Sequence, residues 1–310
     1  MKILVTGAAG YIGSVLVPEL LKKDHEVIAV DNLMYNQTSL LDCCFQEKLT
    51  VIRGDARDRE LISKCLKNTD VIIPLACLAG APLCSKDPIA AKATNLDAIN
   101  MILELRSKNQ RIIFPTTNSG YGIGQKDKFC DENTPLNPVS LYGRLKVEAE
   151  KAVLSSGNCI TLRLATVFGV SPRMRLDLLV NDFTYRAVYD RFIVLFEAHF
   201  KRNYIHIRDV ARVFIHCLEN FEDMKNQPYN VGLSDCNISK RELCEQLKKQ
   251  VPEFHIVESE IGKDPDKRDY IVSNKKIESK GFKPDFSLQY GIGELLKGYQ
   301  ILKRSQYANI

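Results

Sequence analysis

Short apolar runs alternate with amphipathic stretches through the first half of the chain. The runs are rich in β-branched residues, which favour strands, and they lie at residues 3–6, 27–30, 49–53, 71–73, 112–114 and 160–164. Between them apolar residues recur every fourth position, as at Ile12, Leu16 and Leu20, which is typical of helices. Strands alternating with helices predict an α/β fold with a doubly wound parallel sheet that is covered by helices on both faces.

The alternation loosens after about residue 169. Two later pieces return to it, a helical pattern over residues 209–218 and a strand-like run over residues 228–231. We therefore predict a first domain made of residues 1–169 with returning segments at about 203–231. A smaller mixed α/β domain would take residues of about 170–202 and 232–310.

Two helical segments carry more apolar residues than one covered face needs. Residues 90–105 have apolar side chains on nearly every face, and residues 141–155 add several more. A helix that is apolar all round has to be covered on more than one side. The pattern predicts a homodimer joined by these two helices, with cover inside one subunit as the alternative.

Composition excludes several classes of protein. The chain has 310 residues, of which 45% are apolar and 26% charged, and its net charge is +5. These values exclude a disordered chain, and no apolar run reaches the ~20 residues of a membrane helix. No basic stripe interleaved with aromatic residues indicates nucleic acid. The ten cysteines include no Cys-x-x-Cys pair, and the N-terminus enters a strand at once, so we expect no metal site, reduced thiols and a cytoplasmic location.

The most informative local motif is Gly7-Ala8-Ala9-Gly10-Tyr11-Ile12-Gly13, which follows a strand and opens a helix. Glycines in this context let the backbone approach a pyrophosphate and leave a helix N-terminus facing it. The next strand ends at Asp31, near the usual offset of a carboxylate that binds a ribose 2′-hydroxyl. That carboxylate would repel a 2′-phosphate, which favours NAD over NADP. The alternative is that Asp31 only caps a strand end.

Tyr142 and Lys146 stand four residues apart and share one helix face. An ammonium near a phenol favours the phenolate and lowers its pKa. A phenolate can accept the proton of a sugar hydroxyl while the same carbon gives hydride to nicotinamide. Tyr299 and Lys303 have the same spacing, but they follow the predicted sheet. Tyr142 instead follows a strand and the hydroxyl-rich turn at residues 116–119, where ligands bind in open sheets.

Together these motifs resemble the extended short-chain dehydrogenase/reductase family of nucleotide-sugar epimerases, dehydratases and decarboxylases, with a Rossmann sheet and a smaller domain that binds the nucleotide sugar. The resemblance covers almost the whole chain. The segments that carry it are Gly7–Gly13, Asp31, Gly54-Asp55, Leu75-Ala76, Thr117, Tyr121-Gly122, Tyr142, Lys146, Arg163, Gly169, 202–209 and 229–232.

The resemblance implies a role for each matching residue. Thr117 would hydrogen-bond the oxidised oxygen, Tyr142 would be the base, and Lys146 would bind the nicotinamide ribose. The implied NAD-binding residues are Gly7, Gly10, Tyr11, Ile12, Gly13, Asp31, Asn32, Asp55, Ala56, Leu75, Ala76, Tyr142 and Lys146. The implied substrate-binding residues are Thr117, Asn118, Ser119, Arg173, Asn181, Arg202, Lys263 and Arg268. The alternative for Lys263 and Arg268 is that each is a solvated charge. The alternative for Arg173 is a position on the surface.

The departures from the family pattern narrow the reaction. Dehydratases of this family carry Asp-Glu directly after the catalytic Thr, whereas this chain has Asn118-Ser119, which cannot ionise. The reaction that remains possible is oxidation at C4 without elimination of water. Residues 115–124 and 163–183 look closest to GDP-manno-heptose C4-dehydrogenases, which implies a GDP-sugar substrate in surface polysaccharide synthesis. A C4-epimerase and a silent NAD-sensing scaffold are the alternatives.

Overall fold

The computed structural model describes residues 1–125, 128–261 and 268–302. The strands are β1 (Lys2–Thr6), β2 (Glu26–Asp31), β3 (Leu49–Arg53), β4 (Val71–Pro74), β5 (Arg111–Thr117), β6 (Phe129–Cys130), β7 (Cys159–Leu164), β8 (Thr166–Phe168), β9 (Phe192–Phe196), β10 (Lys201–His206), β11 (Gln227–Val231), β12 (Asn237–Ser239), β13 (His255–Ser259) and β14 (Ile271–Val272). The helices are α1 (Gly13–Lys22), α2 (Arg59–Leu66), α3 (Ala81–Lys86), α4 (Pro88–Lys92), α5 (Ala98–Leu105), α6 (Leu141–Ser156), α7 (Leu179–Tyr189), α8 (Ile207–Glu219), α9 (Phe221–Met224), α10 (Lys240–Gln250), α11 (Lys275–Ser279) and α12 (Leu288–Gly298).

Seven strands form one parallel sheet in the order β11-β7-β5-β4-β1-β2-β3. This confirms the doubly wound α/β fold, and the six strands predicted between residues 3 and 164 all exist. The inner strands are apolar throughout because helices cover both of their faces. β3 differs because it lies at the edge of the sheet, where Val51 is 49% exposed.

All seven strands run the same way, so their carboxyl ends share one edge of the sheet. The chain leaves β1 toward β2 on one side, whereas β4 lies on the other side of β1. Such a reversal of strand order opens a crevice at the carboxyl ends, where open α/β sheets bind ligands. The residues that follow β1, β2, β4 and β5 therefore meet at this crevice.

The rest of the chain adds small sheets beside the large one. β10 pairs with β8 in parallel and with β12 in antiparallel orientation, β9 pairs with β13, and β6 pairs with β14. The predicted late helix and strand are confirmed as α8, which packs on α1, and β11, which joins β7. One buried apolar cluster includes both Ile3 in β1 and Ile292 in α12. The boundaries of the two domains stay a prediction.

The helix predicted at residues 90–105 is confirmed, with a wider π-helical segment at Ala93–Asp97 between α4 and α5. It packs against α6 within the subunit, which buries Ile99 and Ile102. Met101 and Leu103 keep partly exposed side chains. Cover inside the subunit therefore accounts for part of the apolar surface. Across the described ranges, the structure has no helix that combines the length and apolarity needed to span a membrane.

Candidate active site

A cleft of about 1260 Å³ lies at the carboxyl ends of the central strands. Eight lysine or arginine residues and five aspartates line it, so the described wall carries more positive than negative charge. A wall of this kind suits a large anionic ligand such as a dinucleotide or a nucleotide diphosphate. All thirteen residues predicted to bind the cofactor line this cleft.

The glycine-rich turn approaches the neighbouring strand too closely for any side chain. Gly7 has a φ of +68°, and a Cβ there would lie 2.6 Å from the backbone nitrogen of Ala76. A Cβ on Gly13 would lie 2.3 Å from the carbonyl oxygen of Ala8. No side chain caps the N-terminus of α1, and the N-terminus of a helix favours an anion such as a phosphate. The turn fits the pyrophosphate of a dinucleotide.

Asp31 ends β2 and lines the cleft beside this turn. One carboxylate oxygen accepts a hydrogen bond from the backbone N–H of Ala9 at 3.0 Å, and the other accepts from Leu33 N–H at 2.8 Å and Gln37 Nε2 at 3.2 Å. Asp31 therefore also fixes the glycine-rich turn, a role that the sequence did not indicate. Its carboxylate stays available at the ribose end of the predicted cofactor path.

Asn32, Asp55 and Ala56 line the end of the cleft that the sequence assigned to adenosine. Arg57 donates to both carboxylate oxygens of Asp55, at 2.9 and 2.7 Å. The guanidinium of Arg57 holds the pKa of Asp55 below its usual range, and the side chain of Asn32 acts in the same direction. This end of the cleft therefore keeps an ionised acceptor.

Thr117, Tyr142 and Lys146 line the same cleft although they come from two elements. Thr117 ends β5, and Tyr142 is the second residue of α6, whose start is capped because Ser140 Oγ accepts from Gly143 N–H at 3.1 Å. Lys146 is buried, and its Nζ lies 4.0 Å from the centroid of the Phe114 ring. The structure thus brings the three predicted catalytic residues to one cavity.

Burial controls the ionisation of Tyr142 and Lys146. It raises the pKa of Tyr142, whereas the positive charges of Arg175 and Arg268 act to lower it. Burial also lowers the pKa of Lys146, which disfavours the ammonium. In the protein without ligand burial is the largest influence on the pKa of Tyr142. That Lys146 lowers this pKa stays a prediction.

The predicted substrate residues separate into three groups. Thr117, Ser119, Arg173, Arg202 and Arg268 line the cleft. Asn118 and Asn181 are buried and do not line it. Lys263 lies outside the described residues. The separation follows from packing, which the sequence pattern did not show.

Asn181 is a structural residue of α7. Its Oδ1 accepts from Gly169 N–H at 3.0 Å, and its Nδ2 donates to the carbonyl of Arg175 at 2.8 Å and to the Tyr11 hydroxyl at 3.3 Å. These bonds occupy the amide and leave it facing away from the cleft lining. Asn181 therefore helps to position Tyr11, which lines the cleft, and its contact with a substrate stays a prediction.

Arg173 lines the cleft and is 5% exposed, so the alternative of a surface position is wrong, and its contact with the substrate stays a prediction. The Arg173 guanidinium lies 4.5 Å from the centroid of the Tyr35 ring, and its backbone N–H donates to Ser14 Oγ at 3.4 Å. Arg173 thus faces the part of the cleft assigned to the cofactor. The Asn118 amide is 1% exposed and finds no partner among the described residues, because the tight turn after β5 directs it into the protein.

Arg202 lies on β10, in one of the small sheets, and lines the cleft. The Arg202 guanidinium donates to the carbonyl of Lys201 at 2.8 Å and lies 5.7 Å from the centroid of the Tyr270 ring. Lys240 lines the same cleft and was missed from the sequence. It is the first residue of α10 and lies between Ser239 and Glu242, which form a capping box that could have marked it.

Known proteins resemble this chain in sequence and in fold. The family model described as "NAD dependent epimerase/dehydratase family" matches residues 3–232. A protein of Bacillus subtilis (strain 168) named "Uncharacterized UDP-glucose epimerase YtcB" is 31% identical over 266 residues, which cover 80% of this chain and 79% of the relative.

Two solved structures show the same fold over nearly the whole chain. UDP-glucuronic acid 4-epimerase from Bacillus cereus, solved with UDP-glucuronic acid and NAD, has a TM-score of 0.84 at 25% identity and covers 97% of this chain and 100% of its own. UDP-glucose 4-epimerase from Thermotoga maritima, solved with UDP-glucose, has a TM-score of 0.85 at 24% identity, with 97% and 99% covered. The chain therefore belongs to the NAD dependent epimerase/dehydratase family of enzymes.

Proposed function

We propose that this enzyme oxidises the C4 hydroxyl of a nucleotide sugar to a ketone with NAD as cofactor. The observation that carries the proposal is the single cleft in which Thr117, Tyr142 and Lys146 lie beside the glycine-rich turn. When bound, NAD supplies the acceptor for the hydride that leaves the sugar carbon. Lys146 binds the cofactor ribose, and the phenolate of Tyr142 removes the hydroxyl proton.

The turn after β5 supports oxidation without loss of water. Elimination from a 4-keto sugar needs an acid at the C6 oxygen and a base at C5. Asn118 and Ser119 cannot ionise, and the amide of Asn118 is buried away from the cleft lining. The keto sugar therefore keeps its oxygen atoms.

We infer that the substrate is GDP-D-glycero-α-D-manno-heptose and that the enzyme is its 4-dehydrogenase. This inference rests on the likeness of residues 115–124 and 163–183 to that subgroup, while the relatives named above carry UDP-sugars. The place of action is then the cytoplasm, in the synthesis of a surface polysaccharide. All ten cysteines are free, which agrees with a reducing compartment.

A C4-epimerase is the second candidate, and the names of the relatives favour it. The same residues would remove the C4 hydrogen, and the hydride would return to the opposite face of the keto sugar. A silent NAD-sensing scaffold is disfavoured because the three catalytic residues are retained in one cleft.

The quaternary structure is part of this proposal. Met101 on α5 and Leu154 on α6 stay partly exposed, and a homodimer through these two helices would cover them. Sedimentation of the purified protein tests this directly. A monomer at micromolar concentration would contradict the dimer.

The activity is tested by adding UDP-, GDP- and dTDP-sugars to the purified enzyme with NAD and recording NADH absorbance. A rise with GDP-manno-heptose alone supports the proposed substrate, and a rise with a UDP-sugar alone moves the specificity to that sugar. Either positive result supports oxidation at C4 without elimination only if the mass of the product shows that no water is lost. Absence of any NADH signal and of any epimer would leave the silent scaffold.

A further inference from the structure

Residues 169–177 follow β8 and are joined to the glycine-rich turn by buried hydrogen bonds. The Tyr11 hydroxyl donates to the carbonyl of Gly169 at 2.8 Å, and Ser171 Oγ donates to the carbonyl of Tyr11 at 2.8 Å. Ser14 Oγ and Ser171 Oγ lie 2.8 Å apart. The segment is therefore fixed to the start of α1, where we expect the pyrophosphate of NAD.

Arg175 belongs to this segment and lines the cleft beside the loop that follows β4. Its Nη2 donates to the carbonyl of Ala79 at 3.3 Å, and its Nε donates to Asp177 Oδ1 at 3.1 Å. Nη2 also donates to the other oxygen of the Asp177 carboxylate. The same loop includes Ala76, whose backbone nitrogen would lie 2.6 Å from a Cβ on Gly7. Arg175 thus contacts the loop that packs against the glycine-rich turn.

The charge of Arg175 acts on groups at two places in the cleft. Burial raises the pKa of Tyr11, whereas a hydrogen bond from Asn181 and the positive charge of Arg175 act to lower it. Burial also raises the pKa of Tyr142, and the same positive charge acts to lower it. Tyr11 belongs to the turn that would bind the pyrophosphate, and Tyr142 to the end that would bind the nicotinamide ribose. The guanidinium is therefore close to both.

The guanidinium of Arg175 keeps donors that the protein does not use. An arginine side chain has five N–H donors and no acceptor. Nε and Nη2 bond to Asp177 and Ala79, whereas Nη1 has no hydrogen-bond partner in the part of the chain that the structure describes. The side chain is only 13% exposed. Two donors of a nearly buried cation are thus left for a ligand in the cleft.

We propose that Arg175 binds the pyrophosphate of NAD through Nη1. The pyrophosphate carries two negative charges, and residues 7–13 of the glycine-rich turn include no lysine or arginine to balance them. A guanidinium suits this task because it is always charged and its fork of donors matches phosphate oxygens. Asp177 is then a positioning residue, because it holds the guanidinium from the side of Nε and Nη2.

The diphosphate of a nucleotide sugar is the other anion that this cleft would take. The attachment of segment 169–177 to Tyr11 and Ser14, at the start of α1, favours the cofactor. NAD would then be held both by the glycine-rich turn and by a segment that follows β8. The inference concerns the cofactor, so it does not depend on which sugar the enzyme oxidises.

The test measures Kd values for NAD, ADP-ribose, GDP and UDP by calorimetric titration of the wild-type protein and Arg175→Met. Methionine fills similar space but removes the charge and all donors. A hydrogen bond to a charged group contributes a factor of about 10–100 in affinity. We expect the Kd values for NAD and ADP-ribose, which share the pyrophosphate, to rise by this factor, and those for GDP and UDP to stay unchanged. Arg144→Met, at an exposed position of α6, is the matched control.

A second pair of variants separates the guanidinium from its partner carboxylate. Arg175→Met leaves Asp177 unpaired, and this negative charge by itself repels a phosphate. The double variant Arg175→Met with Asp177→Asn removes that repulsion, and its loss of NAD affinity should persist. Asp177→Asn alone retains the guanidinium and removes a negative charge, so it should bind NAD at least as tightly as the wild-type protein.

Three results would overturn the assignment. One is a Kd for NAD in the double variant within about twofold of the wild-type value. Another is a loss confined to GDP or UDP, which would assign Arg175 to the substrate diphosphate. The third is an unchanged Kd for ADP-ribose beside a raised Kd for NAD, which would place the contact at the nicotinamide.

Thermal unfolding of each variant verifies the fold. If Arg175→Met does not fold, Arg175→Gln carries the comparison, because its amide can still donate to the carbonyl of Ala79. Arg175→Lys retains the charge and should lose less NAD affinity than either uncharged variant. A wild-type protein that binds NAD in this way but oxidises no nucleotide sugar would contradict the proposed function and leave the role of Arg175 supported.

Discussion

Arg163 on β7 forms a buried ion pair with Glu150 on α6. Arg163 Nε lies 3.1 Å from each carboxylate oxygen, and the two side chains are 7% and 1% exposed. Thr161 Oγ1 donates to the same carboxylate at 2.9 Å, and Arg163 also donates to the Tyr121 hydroxyl at 3.0 Å. Glu150 follows Lys146 by one helical turn. The ion pair therefore holds α6, the helix that carries Tyr142 and Lys146, against the sheet.

We expect Glu150→Ala to destabilise the protein by about 3–5 kcal/mol, because it leaves the Arg163 guanidinium buried without its partner. Chemical denaturation measures this change in the free energy of unfolding. Glu148→Ala, at an exposed position of the same helix, should change it by less than about 0.5 kcal/mol. Equal effects of the two substitutions would show that the ion pair does not hold α6.

Tyr142→Phe should abolish turnover, with a loss of about 10²–10⁴ in kcat, because the base is removed. Binding of NAD should persist, since the ring remains. The informative control is Tyr299→Phe, at the other Tyr with this spacing. Tyr299 is fully buried and its hydroxyl donates to the carbonyl of Asn181 at 2.7 Å, so we expect a loss of about 1 kcal/mol in stability with kcat retained. If both variants lost turnover while the same fraction of each was folded, Tyr142 would not be the base.

The raised pKa of Tyr142 predicts the direction of the pH profile. The base acts as a phenolate, so kcat/KM should increase with pH through the neutral range and beyond it. Arg175→Gln removes a second charge that lowers this pKa and should move the rising limb to higher pH. Arg144→Gln, at an exposed position of α6, should leave the limb in place. A shift to lower pH in Arg175→Gln would contradict the electrostatics of the cleft.

Asp31 should determine the choice between NAD and NADP. Asp31→Asn keeps the size of the side chain and an acceptor for Ala9 N–H, but it removes the charge that repels a 2′-phosphate. We expect the wild-type protein to bind NAD far more tightly than NADP and the variant to narrow this gap. Asp42→Asn, at an exposed site, is the control. Calorimetric titration gives the two Kd values, and equal Kd values in the wild-type protein would contradict the role of Asp31.

The sequence predicted the large sheet well because each strand is a local pattern. The run at residues 71–73 and the motif Gly7–Gly13 carry their information within a few residues, and both occupy the expected places. The pairing of β8, β10 and β12 is not a local pattern, since it joins segments far apart in the chain. No periodicity within any one of these short strands indicates its partners.

In the candidate site, too, the sequence predicted what depends on local patterns and missed what depends on distant segments. Backbone motifs placed Asp31, Thr117 and Tyr142 in the cleft, because a strand end or a helix start determines where each residue lies. The side-chain directions of Asn181 and Arg173 depend on Tyr11 and Tyr35, which come from the first part of the chain. The pKa of Tyr142 depends on its burial, and the four-residue spacing between Tyr142 and Lys146 in the sequence does not reveal that burial.

We propose that the enzyme makes and releases a 4-keto sugar. The most direct measurement incubates it with GDP-manno-heptose and NAD, reduces the product with borodeuteride, and determines its mass and the position of the label. We expect deuterium at C4 with all oxygen atoms retained. A product lighter by one water, or a C4 epimer without deuterium, would contradict it.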